Sequence, residues 1–88
     1  MIVEFFGLAR VLAGAPSLDI GGERMTQREL IRALAQHCPA MIGSVIHADR
    51  ETFVEPNLLL LDGRRAPGDE AAFAAGDRPC VLFLPSGG

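Results

Sequence analysis

MTQRELIRALAQHCP, residues 25–39, is the stretch that decides the architecture. Thr26 and Glu29 form a Thr-x-x-Glu capping box, in which each side chain bonds the other residue's backbone N–H, and Met25 and Leu30 hold the staple positions around it. The spacing predicts a helix that starts after Thr26. Leu30, Ile31, Leu34 and Cys38 recur at three- and four-residue intervals as one apolar stripe, while Arg28, Arg32 and Gln36 fall on the other side. Pro39 stops the helix. An amphipathic helix needs an apolar layer to cover, so the flanking segments must supply it.

They read as strands. In MIVEFF, residues 1–6, Val3 and Phe5 share one face and Ile2, Glu4 and Phe6 the other; Glu4 marks the second face as wet, which makes Phe6 a candidate exposed aromatic. GLARVLAGAP, residues 7–16, follows with Gly14 and Pro16 as breakers, and SLDI, residues 17–20, is a return strand ended by Gly21 and Gly22. Beyond the helix, MIGSVIHAD, residues 41–49, has only a weak helical or irregular pattern. Pro56 punctuates the chain before LLLL, residues 58–61, and Asp62-Gly63 is a strong tight-turn signal. Residues 64–77 form a turn-rich excursion anchored by Phe73, and CVLFLP, residues 80–85, is the final strand.

The order strand, strand, helix, irregular segment, strand, loop, strand gives an α+β fold, with a mixed sheet of four to five strands and one main helix on one face. Strands buried on one side alternate apolar with polar, yet LLLL and VLFL do not. Some of these side chains must then lie on the uncovered face, where with Phe6 they make an apolar patch of the kind that marks a partner surface.

Composition narrows the function. The 88 residues suffice for a single domain over residues 1–88, one that buries roughly 60 to 65% of its unfolded surface and has little room for an enclosed active site. Hydrophobic residues at 49% and charged residues at 22% place it in the globular class. The net charge of -3 and a pI near 5.2 argue against nucleic acid as a partner. No apolar run is long enough for a membrane span and no basic leader opens the chain, so a cytoplasmic location and reduced Cys38 and Cys80 are expected. His37, Cys38, His47 and Asp49 lack any metal-ligand spacing, and no metal is expected. Gly21-Gly22 and residues 63–68 lack a phosphate-loop pattern. All eight basic residues are arginine; the chain has no lysine.

The last eight residues, VLFLPSGG, carry the chemistry. Ordering a residue costs about 1 to 2 kcal/mol and glycine loses the most backbone freedom, so a terminal Gly-Gly is a poor way to gain affinity. Its use is access: without Cβ atoms it threads a slot too narrow for other dipeptides. Pro85 stiffens the exit of a flexible tail over residues 85–88, and four residues reach at most about 13 to 14 Å. What such a stem delivers is the Gly88 carboxylate. Coupled to AMP by a partner, it becomes a mixed anhydride open to sulfur or nitrogen nucleophiles, and no ε-amine in the same molecule can intercept it.

Both ends of the chain resemble the ubiquitin-like sulfur carriers of the MoaD/ThiS type, most of all the small subunit of molybdopterin synthase. The opening Phe5-Phe6-Gly-Leu-Ala-Arg10-Val-Leu-Ala-Gly14 is similar to the family's pair of aromatics, arginine and glycine. Gly76-Asp77, an apolar strand, Pro85 and Gly87-Gly88 are similar to its ending, and the helix from Gln27 fits the same plan. The resemblance implies a β-grasp fold and a protein that is not catalytic alone. It implies that a ubiquitin-activating-like adenylyltransferase, using ATP and Mg, activates Gly88, which then carries sulfur as a thiocarboxylate. The acceptor would be the large subunit of molybdopterin synthase or another sulfur-accepting enzyme, of a thiamine, cysteine, tRNA-thiolation or secondary-metabolite pathway; a ubiquitin-like modifier and a non-catalytic β-grasp binding module are the alternative readings. By the same resemblance Gly87 gives slot passage, Phe6, Leu84 and Pro85 belong to the docking face, and Arg10 contacts the partner; no cofactor is bound by this chain. Only Ser86 separates Pro85 from Gly87, a shorter stem than the family usually has.

Overall fold

Helix α2 (Gln27–His37) starts where its capping box puts it in the computed structural model, which describes residues 1–22, 24–65 and 72–83. The Glu29 N–H donates to Thr26 Oγ1 at 3.2 Å and the Thr26 N–H to Glu29 Oε1 at 2.9 Å, so two donors that the first helical turn leaves free are satisfied together. Leu30, Ile31, Leu34 and Ala35 are buried and Arg28, Arg32 and Gln36 are exposed, as the stripe requires. Cys38 ends that stripe: it closes the helix as the C-terminal cap and, half-buried, packs against the core. Pro39 opens a 3₁₀ turn (Pro39–Met41) in place of further α-helix.

The helix lies on a five-stranded sheet. Its strands are β1 (Ile2–Phe5), β2 (Ser17–Asp19), β4 (Asn57–Leu61), β5 (Arg64–Arg65) and β7 (Cys80–Phe83), in the order β2-β1-β7-β4-β5. The β1–β7 pair is parallel and the others antiparallel. Strands β3 (Met25–Thr26) and β6 (Ala72–Phe73) form a second, two-stranded sheet at the start of α2. One helix over one face of this mixed sheet is the β-grasp arrangement. Val3, Phe5, Leu59 and Val81 are the inward residues of the three central strands; they share one core with the α2 stripe, Met41, Val45, Ile46 and Phe73. A fully buried side chain of this size contributes about 1.5 to 3 kcal/mol, so these contacts hold the helix to the sheet.

Asp62 and Gly63 have φ of 53° and 76°. Positive φ at both positions is the type I′ geometry of a two-residue hairpin, and it joins β4 to β5 as the Asp-Gly signal requires. The segment between β1 and β2 differs from the sequence reading, which gave it no element. It contains helix α1 (Leu8–Ala13), entered through Gly7 at φ 62° with no side-chain cap and left through Gly14 in the left-handed region. Strands β1 and β2 still pair antiparallel, so α1 sits inside their connection. Residues 41–54, weakly patterned in sequence, hold Met41, Val45 and Ile46 in the core through a 3₁₀ turn and isolated bridges from Ile46 to Ile42 and Phe53.

Three carboxylates are held below their ordinary range by hydrogen bonds to the ionised form. Asp19 accepts from the Gly21 N–H, Glu29 from the Thr26 N–H and Asp49 from the Glu51 N–H. The unfolded chain thus binds more protons than the native one in acid; the contribution is complete above the ordinary carboxylate values near about 4 and is lost as pH falls through the lowered ones. Urea midpoints measured across the acid range should therefore decline with falling pH, and Glu29→Gln should flatten that decline. At neutral pH, Thr26→Ala should cost about 1 kcal/mol through the lost cap. Leu34→Ala should cost about 2 to 5 kcal/mol through the cavity left beneath α2, and equal losses in the two variants would contradict this account.

Candidate functional site

The parallel pairing of β1 with β7 determines what surrounds the start of the tail. Glu4 is level with Cys80 and Phe5 with Val81, and the Phe6 N–H donates to the Val81 carbonyl at 3.0 Å. Both strands therefore end at the same end of the sheet. There the chain leaving β1 turns through Gly7 into α1, and β7 ends at Phe83, five residues short of Gly88.

The described residues expose four large apolar side chains, and this end of the sheet gathers all of them: Phe6 at 50%, Leu8 at 41%, Val11 at 75% and Phe83 at 46%. The alternation of β1 put Phe6 on the wet side, and it is exposed. Leu8 and Val11 were missed, because an unrecognised α1 gave no reason to ask which way its residues face. Their signal was the spacing: residues three apart share a helix side, while Ala9, Leu12 and Ala13 pack toward the core. Phe83 has the parity of the buried Val81 but lies at the strand's end, beyond the core. Arg10 lies exposed on α1, between Leu8 and Val11. Leu84, Pro85, Gly87 and Gly88, the other residues assigned a role from sequence, lie outside the described residues.

The sheet face away from α2 is less exposed than the LLLL and VLFL runs suggested. By alternation from buried Leu59 and Val81, it carries Leu58, Leu60, Cys80 and Leu82, and each is half-buried. Leu58 faces Leu82 and Leu60 faces Cys80 across the β4–β7 pair. Glu4 borders this strip and its Oε2 accepts from Arg78 Nε at 3.0 Å, a partly exposed ion pair worth about 0 to 1 kcal/mol. Burial pushes the Cys80 thiol up, with the Glu4 charge adding to it; burial alone does the same at Cys38. Neither cysteine has the electropositive surroundings that make a reactive thiolate.

Elsewhere, the described residues show no catalytic constellation. A cavity of about 180 Å³ at the β4–β5 edge is lined by Gln27, Thr52, Glu55, Asn57 and Arg65 among others, with no thiol or imidazole. Among the described residues no group of three histidine, cysteine or carboxylate side chains could hold a metal, and no helix is long and apolar enough to cross a membrane. The arrangement is that of a surface presenting a strand end rather than of a pocket enclosing a substrate.

No protein-family model and no curated protein matches the chain. Solved structures do. The crystal structure of SAMP1 from Haloferax volcanii is similar at 27% identity and a TM-score of 0.76, over 100% of this chain and 98% of that one. A crystal structure of H. volcanii small archaeal modifier protein 1 gives 24% and 0.76 over 97% of each chain. The solution structure of the small archaeal modifier protein 1 from Methanosarcina acetivorans gives 23% and 0.77, over 99% and 94%. The fold is thus the ubiquitin-like β-grasp, and the neighbours are small modifier proteins of nearly the same length.

Exposed and buried apolar side chains at this end should separate cleanly on substitution. Val11→Ser should change stability by no more than about 0.5 kcal/mol, as is usual for a surface position. Phe5→Ala should cost about 3 to 5 kcal/mol. Thermal unfolding of the two variants checks this; a large loss in Val11→Ser would place the side chain in the core rather than in the patch.

Proposed function

We propose that the chain is a ubiquitin-like carrier protein whose Gly88 carboxylate is activated by an adenylating partner and then bears sulfur as a thiocarboxylate. The observation that carries this reading is the β1–β7 pairing: the strand leading into PSGG is hydrogen-bonded in the middle of the sheet, and it ends beside the exposed Phe6, Leu8 and Val11. A partner that grips that patch is positioned to receive whatever follows Phe83, and five residues reach at most about 17 Å. The likeness to proteins named as small archaeal modifiers supports a modifier or carrier role for the same fold.

The steps are those of acyl activation. A Gly88 carboxylate oxygen attacks the α-phosphorus of ATP, pyrophosphate leaves, and the acyl adenylate forms on the partner with its Mg. Sulfide-level sulfur from a sulfurtransferase then attacks the acyl carbon; the bond from carbon to the phosphate oxygen breaks and AMP departs. This chain supplies the stem, the docking face with Phe6, Arg10, Leu84 and Pro85, and the acyl group, and it binds no cofactor itself. The sulfur acceptor is the large subunit of molybdopterin synthase, a reading supported by the Phe5-Phe6, Arg10 and Pro85 to Gly-Gly pattern. A second reading, a protein modifier joined to amines of other proteins, is favoured by the name of the Haloferax volcanii neighbour. Adenylation at Gly88 is common to both.

Intact-mass measurement after incubation with a cognate activating enzyme, ATP and a sulfur donor tests the carrier. The expected product is heavier by the replacement of one oxygen with sulfur, and deletion of Gly88 abolishes it. An unchanged mass in the presence of demonstrably active enzymes would overturn the reading, and amide-linked adducts on other proteins would favour the modifier.

A further inference from the structure

We infer that an activated tail of this chain finds no acceptor on another copy of the chain, so transfer from Gly88 builds no chain of copies and runs only to a different molecule. The inference rests on the activation of Gly88 that both readings above share, and adds what can accept the acyl group. An amide forms when an uncharged amine nitrogen attacks the acyl carbon of the adenylate; the carbon–oxygen bond to phosphate breaks, AMP leaves, and the nitrogen gives its proton to water. The amine must be exposed and free to approach.

Amines of that kind are missing here. None of the 88 residues is lysine, and the eight basic residues are arginines, whose guanidinium remains protonated and is a poor nucleophile. The α-amine of Met1 is held in place. It donates to Asp19 Oδ1 at 3.4 Å and to the Gly21 carbonyl at 3.3 Å, and its residue's side chain is fully buried. The Met1 carbonyl accepts from the Ile20 N–H at 3.0 Å, so the strand end is tied on both sides of the α-carbon.

Other nucleophiles are muted or reversible. Cys80 lies in mid-sheet between Glu4 and Leu60, and Cys38 closes α2; both are half-buried, and the thiols are pushed up by that burial. Thr52 Oγ1 donates to the Asp49 carboxylate at 2.9 Å and Thr26 Oγ1 serves as the cap of α2. A hydroxyl without an adjacent base is a weak nucleophile. His37 and His47 are exposed, but an acyl imidazole returns the carboxylate by hydrolysis.

The test installs a thioester at Gly88 of the full chain by chemical ligation, so that no activating enzyme is involved. Concentrated wild-type thioester, incubated alone at mildly alkaline pH, should show only its own mass and that of the hydrolysed acid, while added lysine amide should be captured as a one-to-one amide. Gln36→Lys, which places an amine on the exposed side of α2, should shift part of the protein to dimer and higher masses. Wild-type dimers in the amounts formed by Gln36→Lys would overturn the inference. So would a Gln36→Lys chain that stays monomeric while lysine amide reacts, since the missing lysine would then not be what prevents self-transfer. An activating enzyme that fails to charge Gly88 would tell against the carrier reading and would leave this mass pattern unchanged.

Discussion

The structure depends on one pairing between segments at opposite ends of the chain. Strand β7 lies between β1 and β4, parallel to the first and antiparallel to the second, and without it the sheet divides into two unconnected pairs. Val81 sits at the crossing: its side chain is fully buried, its carbonyl accepts from Phe6, and it faces Phe5 and Leu59 on the two sides. The residue that fills the centre of the core therefore also fixes the height at which β1 ends and α1 begins. Closing a loop of this length costs little more entropy than closing a shorter one, because the cost grows only with the logarithm of length.

That constraint also places the exposed apolar side chains beside the end of β7. A parallel neighbour ends at the same side of the sheet, so the chain leaves β7 next to the segment that leaves β1. The exposed Phe6, just after β1, and Leu8 and Val11 on α1 are brought by the pairing to the exit of a strand that begins more than sixty residues later in the chain. Exposed apolar side chains cost solubility, and their concentration at one end fits a surface that is covered when a partner binds. The opposite end, with the β4–β5 edge, carries Arg64 and Arg65 on a two-residue strand, which discourages edge pairing there.

Sequence conveyed what is local. Helix α2 was legible because a reciprocal cap, an apolar stripe and Pro39 all lie within fifteen residues and agree. The Asp62-Gly63 hairpin was legible because so few residues accept positive φ at two successive positions. Helix α1 was not: it is six residues long, Gly7 offers no capping side chain, and its flanking glycines read equally well as a turn. The position of Val45 and Ile46 in the core was also hidden, since an irregular segment imposes no period on its apolar residues. The candidate site was half legible for the same reason. Phe6 followed from the alternation of β1, whereas Leu8 and Val11 needed a helix, and their meeting with β7 needed a long-range register that no local pattern contains. The half-buried state of Leu58, Leu60 and Leu82 shows the limit of reading apolar runs as exposed patches: neighbouring strands shield one another even on an uncovered face.

The central claim is that a partner reads the end of the sheet where β1 and β7 stop together. Amide hydrogen exchange of the chain, alone and bound to the proposed adenylating partner, tests it most directly. The account predicts added protection in residues 6–11 and 82–83, with the amides of α2 unchanged. Protection concentrated on α2, with residues 6–11 exchanging as in the free protein, would contradict it.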